Sequence, residues 1–126
     1  MSLSESLFGA WSLESFVARD VATGALRSPL GERPRGLITY TTDGHMSAQL
    51  AQEDMSDYVA YGGRFVVDEA ASTVRHDVTI STMPDLLTAP QVRHAALDGD
   101  RLVLSVTTTD EHGVATASTL TWRRAD

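Results

Sequence analysis

Residues 36–50 alternate between apolar and polar side chains on both sides of an Asp-Gly pair, a pattern that predicts two antiparallel strands and a tight turn. A three-residue loop over 42–44, with Gly44 in the left-handed conformation, pairs Tyr40 with Met46. This register places the apolar residues on one face, namely Ile38, Tyr40, Met46, Ala48 and Leu50. A two-residue turn would leave apolar side chains on both faces, and the hydrophobic pattern fixes the register of a half-buried hairpin. The stretch therefore predicts an antiparallel sheet with one buried face and one solvent-exposed face.

Similar alternation continues on both sides of this hairpin. We predict strands at 9–19, 64–68, 73–82, 91–97, 101–109 and 114–124, with a short edge strand near 25–28. The inner face of the strand at 9–19 is expected to carry Trp11, Leu13, Ser15 and Val17. The inner face of the strand at 73–82 is expected to carry Val74, His76, Val78 and Ile80. A turn at 98–100 that aligns Leu97 with Leu102 sends Arg93 to the same inner side.

The sequence also indicates two short helical segments. Residues 3–8 are interpreted as a turn of helix that leads into the first strand. Residues 53–61 predict a second helix, because acidic residues stand in its first turn and Gly62 and Gly63 follow it. A helix so short, inserted between strands, suits a lid or plug over one end of the sheet.

These elements predict an all-β fold: an eight- to nine-stranded antiparallel up-and-down β-barrel with one short helix as lid or plug. Residues 1–126 are long enough for one domain. Closure at eight strands removes the exposed sheet edges and leaves room for one small ligand. A sandwich of two sheets is the alternative, but its interior would normally be filled by large aliphatic side chains. The predicted inner faces instead include Ser15, Tyr40, His76, Gln91, Arg93, Thr116 and Ser118.

The amino-acid composition excludes several kinds of partner and of catalytic chemistry. The net charge is −7, and the ten basic residues are all arginine and scattered along the chain. Without a basic stripe, nucleic acid is not an expected partner, and the acidic balance opposes docking on anionic membranes. The sequence has no cysteine or lysine, which excludes thiolate chemistry and a lysine Schiff base. It also shows neither a targeting segment nor an apolar stretch long enough to span a membrane, so we expect a soluble cytoplasmic protein.

Several short motifs resemble those of known β-barrels. Gly9-Ala-Trp11 and Leu120-Thr-Trp-Arg-Arg124 resemble the Gly-x-Trp motif and the closing strand of lipocalin-type barrels, in which the matching Arg124 would lie against Trp11. The sequence resembles a bacterial and fungal lipocalin-like domain family more closely. The motifs that match this family, in order along the chain, are Pro29-Leu-Gly-Glu-Arg-Pro-Arg-Gly36, Tyr40, Asp43-Gly44, Met46-Ser47, Tyr58-Val-Ala-Tyr-Gly-Gly63, His76, Ser81-Thr-Met-Pro84 and Arg93. This resemblance covers nearly the whole chain and implies a small calycin-type barrel. The chain departs from the family at Leu86-Leu-Thr-Ala89, where an aromatic residue and a glycine are expected.

The candidate ligand-binding residues are Tyr40, Met46, Tyr61, His76 and Arg93, of which His76, Arg93 and Tyr40 are the candidate catalytic residues. Apolar neighbours on the inner face of the strand would keep His76 neutral and available as a base, although a histidine there can also be a core residue bonded to a tyrosine. Arg93 needs a partner, which is either a ligand oxygen or a structural hydrogen-bond network. The histidines have no metal-ligand spacing, and we expect neither a metal nor a cofactor.

Two classes of function stay open. The resemblance to small lipocalin-like cyclases and isomerases implies a cofactor-independent enzyme of secondary metabolism that acts on a polyketide- or terpenoid-like intermediate. There His76 or a tyrosine would move a proton, and Arg93 would stabilise charge on a carbonyl oxygen. The same pocket without turnover would be a carrier or sensor of a small apolar ligand, because fold alone does not choose between them. We expect a small apolar organic molecule as partner and a homodimer as a candidate assembly.

Overall fold

The computed structural model describes residues 2–125, which form nine strands, one α-helix and one 3₁₀ turn. The helix α1 spans Leu3–Leu7, and the 3₁₀ turn spans Pro84–Leu87. The strands are β1 Gly9–Asp20, β2 Leu26–Arg27, β3 Arg35–Tyr40, β4 His45–Ala51, β5 Val59–Asp68, β6 Thr73–Ser81, β7 Gln91–Asp98, β8 Arg101–Thr109 and β9 Ala115–Arg124. Within this range no helix has the length and apolar character needed to cross a membrane.

The strands close into one antiparallel barrel. From β3 to β9 each strand pairs with the next along the chain, while β1 pairs with both β3 and β9. This arrangement gives a ring of eight strands and leaves no open edge between the first strand and the last. The short β2 lies outside the ring and pairs with β1 beside Ala18 and Arg19. The predicted all-β up-and-down barrel and its short edge strand are confirmed.

The two best-defined hairpins have the predicted registers. Tyr40 pairs with Met46 across the β3–β4 turn, where Gly44 has a φ of +90°. The face expected to be apolar is buried, as the low exposure of Ile38, Tyr40, Met46, Ala48 and Leu50 shows. In the β7–β8 hairpin, Leu97 lies opposite Leu102 as expected. The turn residues therefore fix which side chains of these four strands enter the barrel.

A β-bulge in β1 reverses part of the predicted inner face. The pairing of β1 with β9 shifts register between Leu13 and Ser15. The expectation that Ser15 and Val17 point inward is therefore wrong. The inner positions beyond the bulge are occupied by Phe16, which packs against the hydrophobic core, and by the buried Ala18. An extra residue on one strand changes the inside-outside parity of all residues that follow it.

A second bulge lies between β5 and β6. Gly63 is opposite Val78, whereas the preceding Gly62 is opposite Ile80, so one residue of β6 is unpaired. Ile80 is 72% exposed, and its predicted inward orientation is therefore wrong. A Cβ atom at Gly63 would lie 2.1 Å from the carbonyl oxygen of Asp77, which explains why glycine occupies this position.

The helix predicted over 53–61 is wrong, because this segment forms turns and the beginning of β5. The Asp54 carboxylate accepts hydrogen bonds from the backbone N–H and the hydroxyl of Ser56, at 3.0 and 2.6 Å. Met55 and Asp57 have positive φ angles of 72° and 54°. Short polar side chains that bond to nearby backbone compete with helix formation, and here the turn is favoured over the helix.

The short helix α1 instead covers the end of the barrel where β1 begins and β9 ends. Arg124 donates to the carbonyl oxygens of Phe8 and Ser6, each at 2.6 Å. Trp11 Nε1 donates to the carbonyl oxygen of Leu7 at 3.0 Å. The guanidinium carbon of Arg124 lies 3.8 Å from the centre of the Trp11 ring, which confirms the predicted contact. Together these bonds satisfy carbonyl groups at the C-terminal end of the helix.

The opposite end of the barrel is covered by the loop between β2 and β3. Leu30 in this loop is 8% exposed and belongs to the same hydrophobic cluster as Leu13 and Leu50. A cleft of about 450 Å³ separates the loop from residues 52–54. This end, called the open end below, is therefore only partly covered, by a loop with one buried leucine rather than by a helix.

Candidate functional site

The side chains inside the barrel form two layers. Those nearest α1 are almost completely buried, and they include Trp11, Ile38, Tyr40, Phe65, His76 and Trp122. Others keep some exposed surface, and they include Tyr61, Val78, Gln91, Arg93, Val106 and Ser118. Because this second group points inward and is still partly exposed, solvent reaches the interior from the open end. The candidate site lies where the two layers meet.

A tyrosine and a histidine form the polar centre of the buried layer. Tyr40, from the end of β3, and His76, from the middle of β6, are joined by a hydrogen bond of 2.8 Å between the hydroxyl oxygen and Nε2. His76 is only 1% exposed. The ring of Phe65 packs edge-on against Tyr40, with ring centres 4.9 Å apart, and the ring of Tyr61 lies 6.0 Å from that of His76. Aromatic rings thus surround the hydrogen-bonded pair.

The surroundings keep this pair uncharged. Burial, followed by the nearby positive charge of Arg93, lowers the pKa of His76 to about 3. Burial also raises the pKa of Tyr40 well above its usual value, with a smaller contribution from Tyr61. The imidazole and the phenol are therefore both neutral near pH 7, and the expectation that His76 is neutral is met. With so low a pKa, however, His76 is a weak base.

Arg93 borders this group from β7, where it lies opposite Val74 of β6. Its Nη1 donates to the carbonyl oxygen of Val92 at 3.0 Å, and its Nη2 donates to Oε1 of Gln91 at 3.3 Å. Among residues 2–125, no carboxylate forms a salt bridge with it. Burial lowers the pKa of Arg93, while the two tyrosines nearby oppose that shift. A guanidinium has five N–H donors, so further donors are available to another molecule.

The two remaining candidate residues also lie inside the barrel. Tyr61 is opposite Ala48 on the inner face of β5, and burial raises the pKa of its phenol. Its hydroxyl forms no hydrogen bond within the described part of the chain. Met46 is buried and lies between Tyr40 and Gly63 in the sheet. The fold thus brings all five candidate residues to one interior, while their roles in binding or catalysis stay predictions.

Three further residues belong to the same interior and were not among the candidates. Phe65 packs against Tyr40. Gln91 accepts a hydrogen bond from Arg93. Trp122 is buried on β9. Strand alternation places each of them on an inner face. It does not reveal contacts between strands that are distant in sequence, and so it could not select them.

A closed antiparallel barrel of eight strands, with a short helix over one end and polar side chains inside, defines a lipocalin-like protein. The chain belongs to the lipocalin-like domain family, whose sequence profile matches residues 8–55 and 51–125. It is also similar to a protein of Aspergillus oryzae named 4'-hydroxy-3'-methoxypropiophenone carrier protein, with 39% identity over 77 residues. That alignment covers 56% of this chain and 69% of the fungal protein. The family resemblance inferred from the sequence motifs is confirmed.

Proposed function

We propose that this protein binds a small apolar molecule that carries a carbonyl oxygen, and that Arg93 holds this oxygen. The observation that carries the proposal is the state of Arg93, which points inward, is partly buried and has no carboxylate partner among the described residues. A guanidinium removed from water without a counter-ion opposes folding. A ligand carbonyl or enolate oxygen would provide the missing partner.

The chemistry of the interior favours an aromatic ligand. Tyr40, Phe65 and Tyr61 offer ring faces and edges, and aromatic rings pack favourably against one another in such arrangements. The fungal relative is named as the carrier of an aryl ketone, which combines a flat apolar body with one carbonyl group. We infer that an aryl ketone or a similar intermediate of secondary metabolism is the ligand class here, and that the protein carries it without turnover.

Catalysis as a cyclase or isomerase is the second candidate. The hydrogen bond between Tyr40 and His76 supports it, because such a pair can transfer a proton to or from a bound ketone. In that case Arg93 would stabilise the enolate oxygen. General bases work best when their pKa lies near the working pH, and the pKa of His76 is about 3. For this reason we place carriage before catalysis.

The test of the proposed function replaces Arg93 by methionine, which keeps the apolar stem and removes the charge. Loss of a charged hydrogen bond should weaken the binding of 4-methoxyacetophenone, an aryl ketone probe, by roughly 10- to 100-fold. The melting temperature should stay the same or rise, because a partly buried charge without a counter-ion is removed. Isothermal titration calorimetry and thermal unfolding measure the two quantities.

Arg75→Met is the matched control, because Arg75 is exposed on the outer face of β6 and pairs there with Asp77. It should bind the probe as the wild type does. A stable Arg93→Met protein that binds the ketone normally would remove Arg93 from the site, and a protein that unfolds would assign it a structural role. Incubating the wild type with linear polyketone precursors, followed by mass spectrometry, tests turnover. A product that disappears with His76→Gln would favour the enzyme over the carrier.

A further inference from the structure

Two side-chain nitrogens deep in the barrel lack hydrogen-bond partners among the described residues. They are Nδ1 of His76 and Nε1 of Trp122, and within residues 2–125 no donor or acceptor reaches either atom. Each residue is only 1% exposed. The other tryptophan of the chain differs in this respect, since Trp11 Nε1 donates to the carbonyl oxygen of Leu7 at 3.0 Å. Buried polar groups in folded proteins are normally paired, so two such atoms in one small interior need an explanation.

The two atoms come from different walls of the barrel. His76 lies on β6 and Trp122 on β9, and β7 and β8 separate these strands in the ring. Trp122 pairs with Leu102 and Leu13, whose side chains are both buried, so its indole also faces the interior. It belongs to the same contiguous hydrophobic cluster as Tyr40, the partner of His76. Both nitrogens therefore belong to one buried interior, on strands that are not neighbours in the ring.

The hydrogen bond of Tyr40 determines which nitrogen of His76 carries the proton. His76 Nε2 is the one partner of the Tyr40 hydroxyl in the described part of the chain. If the hydroxyl donates to Nε2, the imidazole proton is on Nδ1 and one donor stays unpaired. If Nε2 donates instead, the hydroxyl hydrogen and the Nδ1 lone pair are both unpaired. The first arrangement leaves fewer unsatisfied groups, so we assign the imidazole proton to Nδ1.

We propose that His76 Nδ1–H and Trp122 Nε1–H form a second polar subsite, which binds an ether, carbonyl or phenolate oxygen at the buried end of the ligand. The inference rests on the proposed function, in which the partly exposed Arg93 binds a carbonyl oxygen. Both groups of the subsite are donors, and Trp122 has no acceptor to offer. A ligand with two separated acceptor oxygens on an apolar aromatic frame therefore matches the interior. A neutral hydroxyl or amine at the buried end would leave its own hydrogen unpaired.

This polarity gives the protein a means of selection. A site built from buried donors rejects an analogue that lacks the acceptor, because the donors then stay unpaired in the complex. Replacing the ether oxygen of 4-methoxyacetophenone by a methylene group gives 4-ethylacetophenone, which has the same shape and keeps the ketone. The wild type should bind the methoxy compound about 10-fold more tightly than the ethyl compound.

The variant Trp122→Phe removes one of the two donors and keeps an aromatic ring in the core. Its preference for the methoxy compound should fall to about 3-fold or less, while its affinity for the ethyl compound stays near the wild-type value. Thermal unfolding of the free variant checks that it is folded. Equal affinities of the wild type for the two compounds, or an undiminished preference in a folded Trp122→Phe protein, would overturn the subsite. Even if the subsite were refuted in this way, the proposed function would still hold, provided that the ethyl compound binds tightly and that Arg93→Met weakens this binding.

Nuclear magnetic resonance tests the subsite without any substitution. The chain has two tryptophans, so ¹⁵N labelling of the indole groups gives two assignable signals. The Trp122 indole proton should shift downfield with the methoxy compound and much less with the ethyl compound, while the Trp11 signal stays in place. Histidine ¹⁵N spectra of the free protein should show a protonated Nδ1 in His76. Protonation at Nε2, or equal shifts of Trp122 with both compounds, would contradict the proposal whether or not carriage is correct. If neither compound binds, both proposals fail.

Discussion

The depressed pKa of His76 makes the stability of this barrel sensitive to mild acid. The unfolded chain binds a proton on this histidine with the ordinary pKa of about 6.5, whereas the folded protein binds it only near pH 3. Between these two values the unfolded state holds more protons than the folded state. The free energy of unfolding must therefore decrease as the pH is lowered through this interval.

The size of the effect follows from the shift. One pKa unit corresponds to about 1.4 kcal/mol, so the slope is about 1.4 kcal/mol per pH unit across the interval. Lowering the pH from 6.5 to 4.5 should cost roughly 2–3 kcal/mol, a large part of the stability of an ordinary domain. The interval ends at 4.5 because carboxylates with lowered pKa values, such as Glu14 and Asp43, begin to destabilise the folded state at lower pH.

Urea unfolding at half-unit pH steps measures this slope. His76→Gln keeps a polar side chain that can bond to Tyr40 but does not titrate, so its slope between pH 6.5 and 4.5 should be close to zero. The matched control is His112→Gln, which removes an exposed histidine from the β8–β9 turn and should keep the wild-type slope. Equal slopes for the wild type and His76→Gln would refute the argument, because they would mean that the folded protein binds the proton as readily as the unfolded chain.

Two further predictions concern the frame of the barrel. Gly44→Val should destabilise the protein by more than about 1 kcal/mol in urea unfolding, because a β-branched residue must adopt the φ of +90° observed at this turn; a neutral effect would contradict the bulged three-residue turn. Arg124→Met should cost about 2–4 kcal/mol by the same assay, since it removes the contact with Trp11 and leaves two carbonyl groups near α1 without their donor. The exposed neighbour Arg123 provides the control Arg123→Met, and equal losses for both variants would refute a special role for Arg124.

The parts of the fold that sequence reasoning predicted correctly are those fixed by turn chemistry. Gly44 could be assigned to a positive φ because one hairpin register alone puts the apolar side chains of β3 and β4 on a single face. The same reasoning aligned Leu97 with Leu102 and placed Arg93 inside. The candidate residues on β3, β4 and β7 were found because apolar and polar side chains alternate without interruption between the turn and each of these residues.

Prediction failed where an extra residue interrupts the alternation. Gly62 and Gly63 were interpreted as a helix stop, although Gly63 is required where β5 passes close to the backbone of β6. In β1, Glu14 sits at the bulge and bonds to Arg101 and Arg123 at 3.1 Å each, outside the barrel. These bonds join residues far apart in sequence, so a local pattern does not reveal them. A shift in apolar spacing was the available signal, since Phe16 and Ala18 are out of step with Trp11.

The polar side chains inside the barrel differ in whether they have hydrogen-bond partners, and this difference bears on why the unpaired ones are not replaced by apolar residues. At the α1 end, Trp11 and Arg124 donate hydrogen bonds to three successive carbonyl groups, those of Ser6, Leu7 and Phe8. Elsewhere in the interior, His76 and Trp122 are buried with nitrogens that the rest of the described chain does not satisfy. Each such group costs stability, which an apolar side chain of similar size would recover. A barrel that satisfies its polar groups closely at one end has no packing reason to leave them unpaired in the middle. The proposed binding of a ligand oxygen would supply that reason, because it gives both inward-facing nitrogens a hydrogen-bond partner.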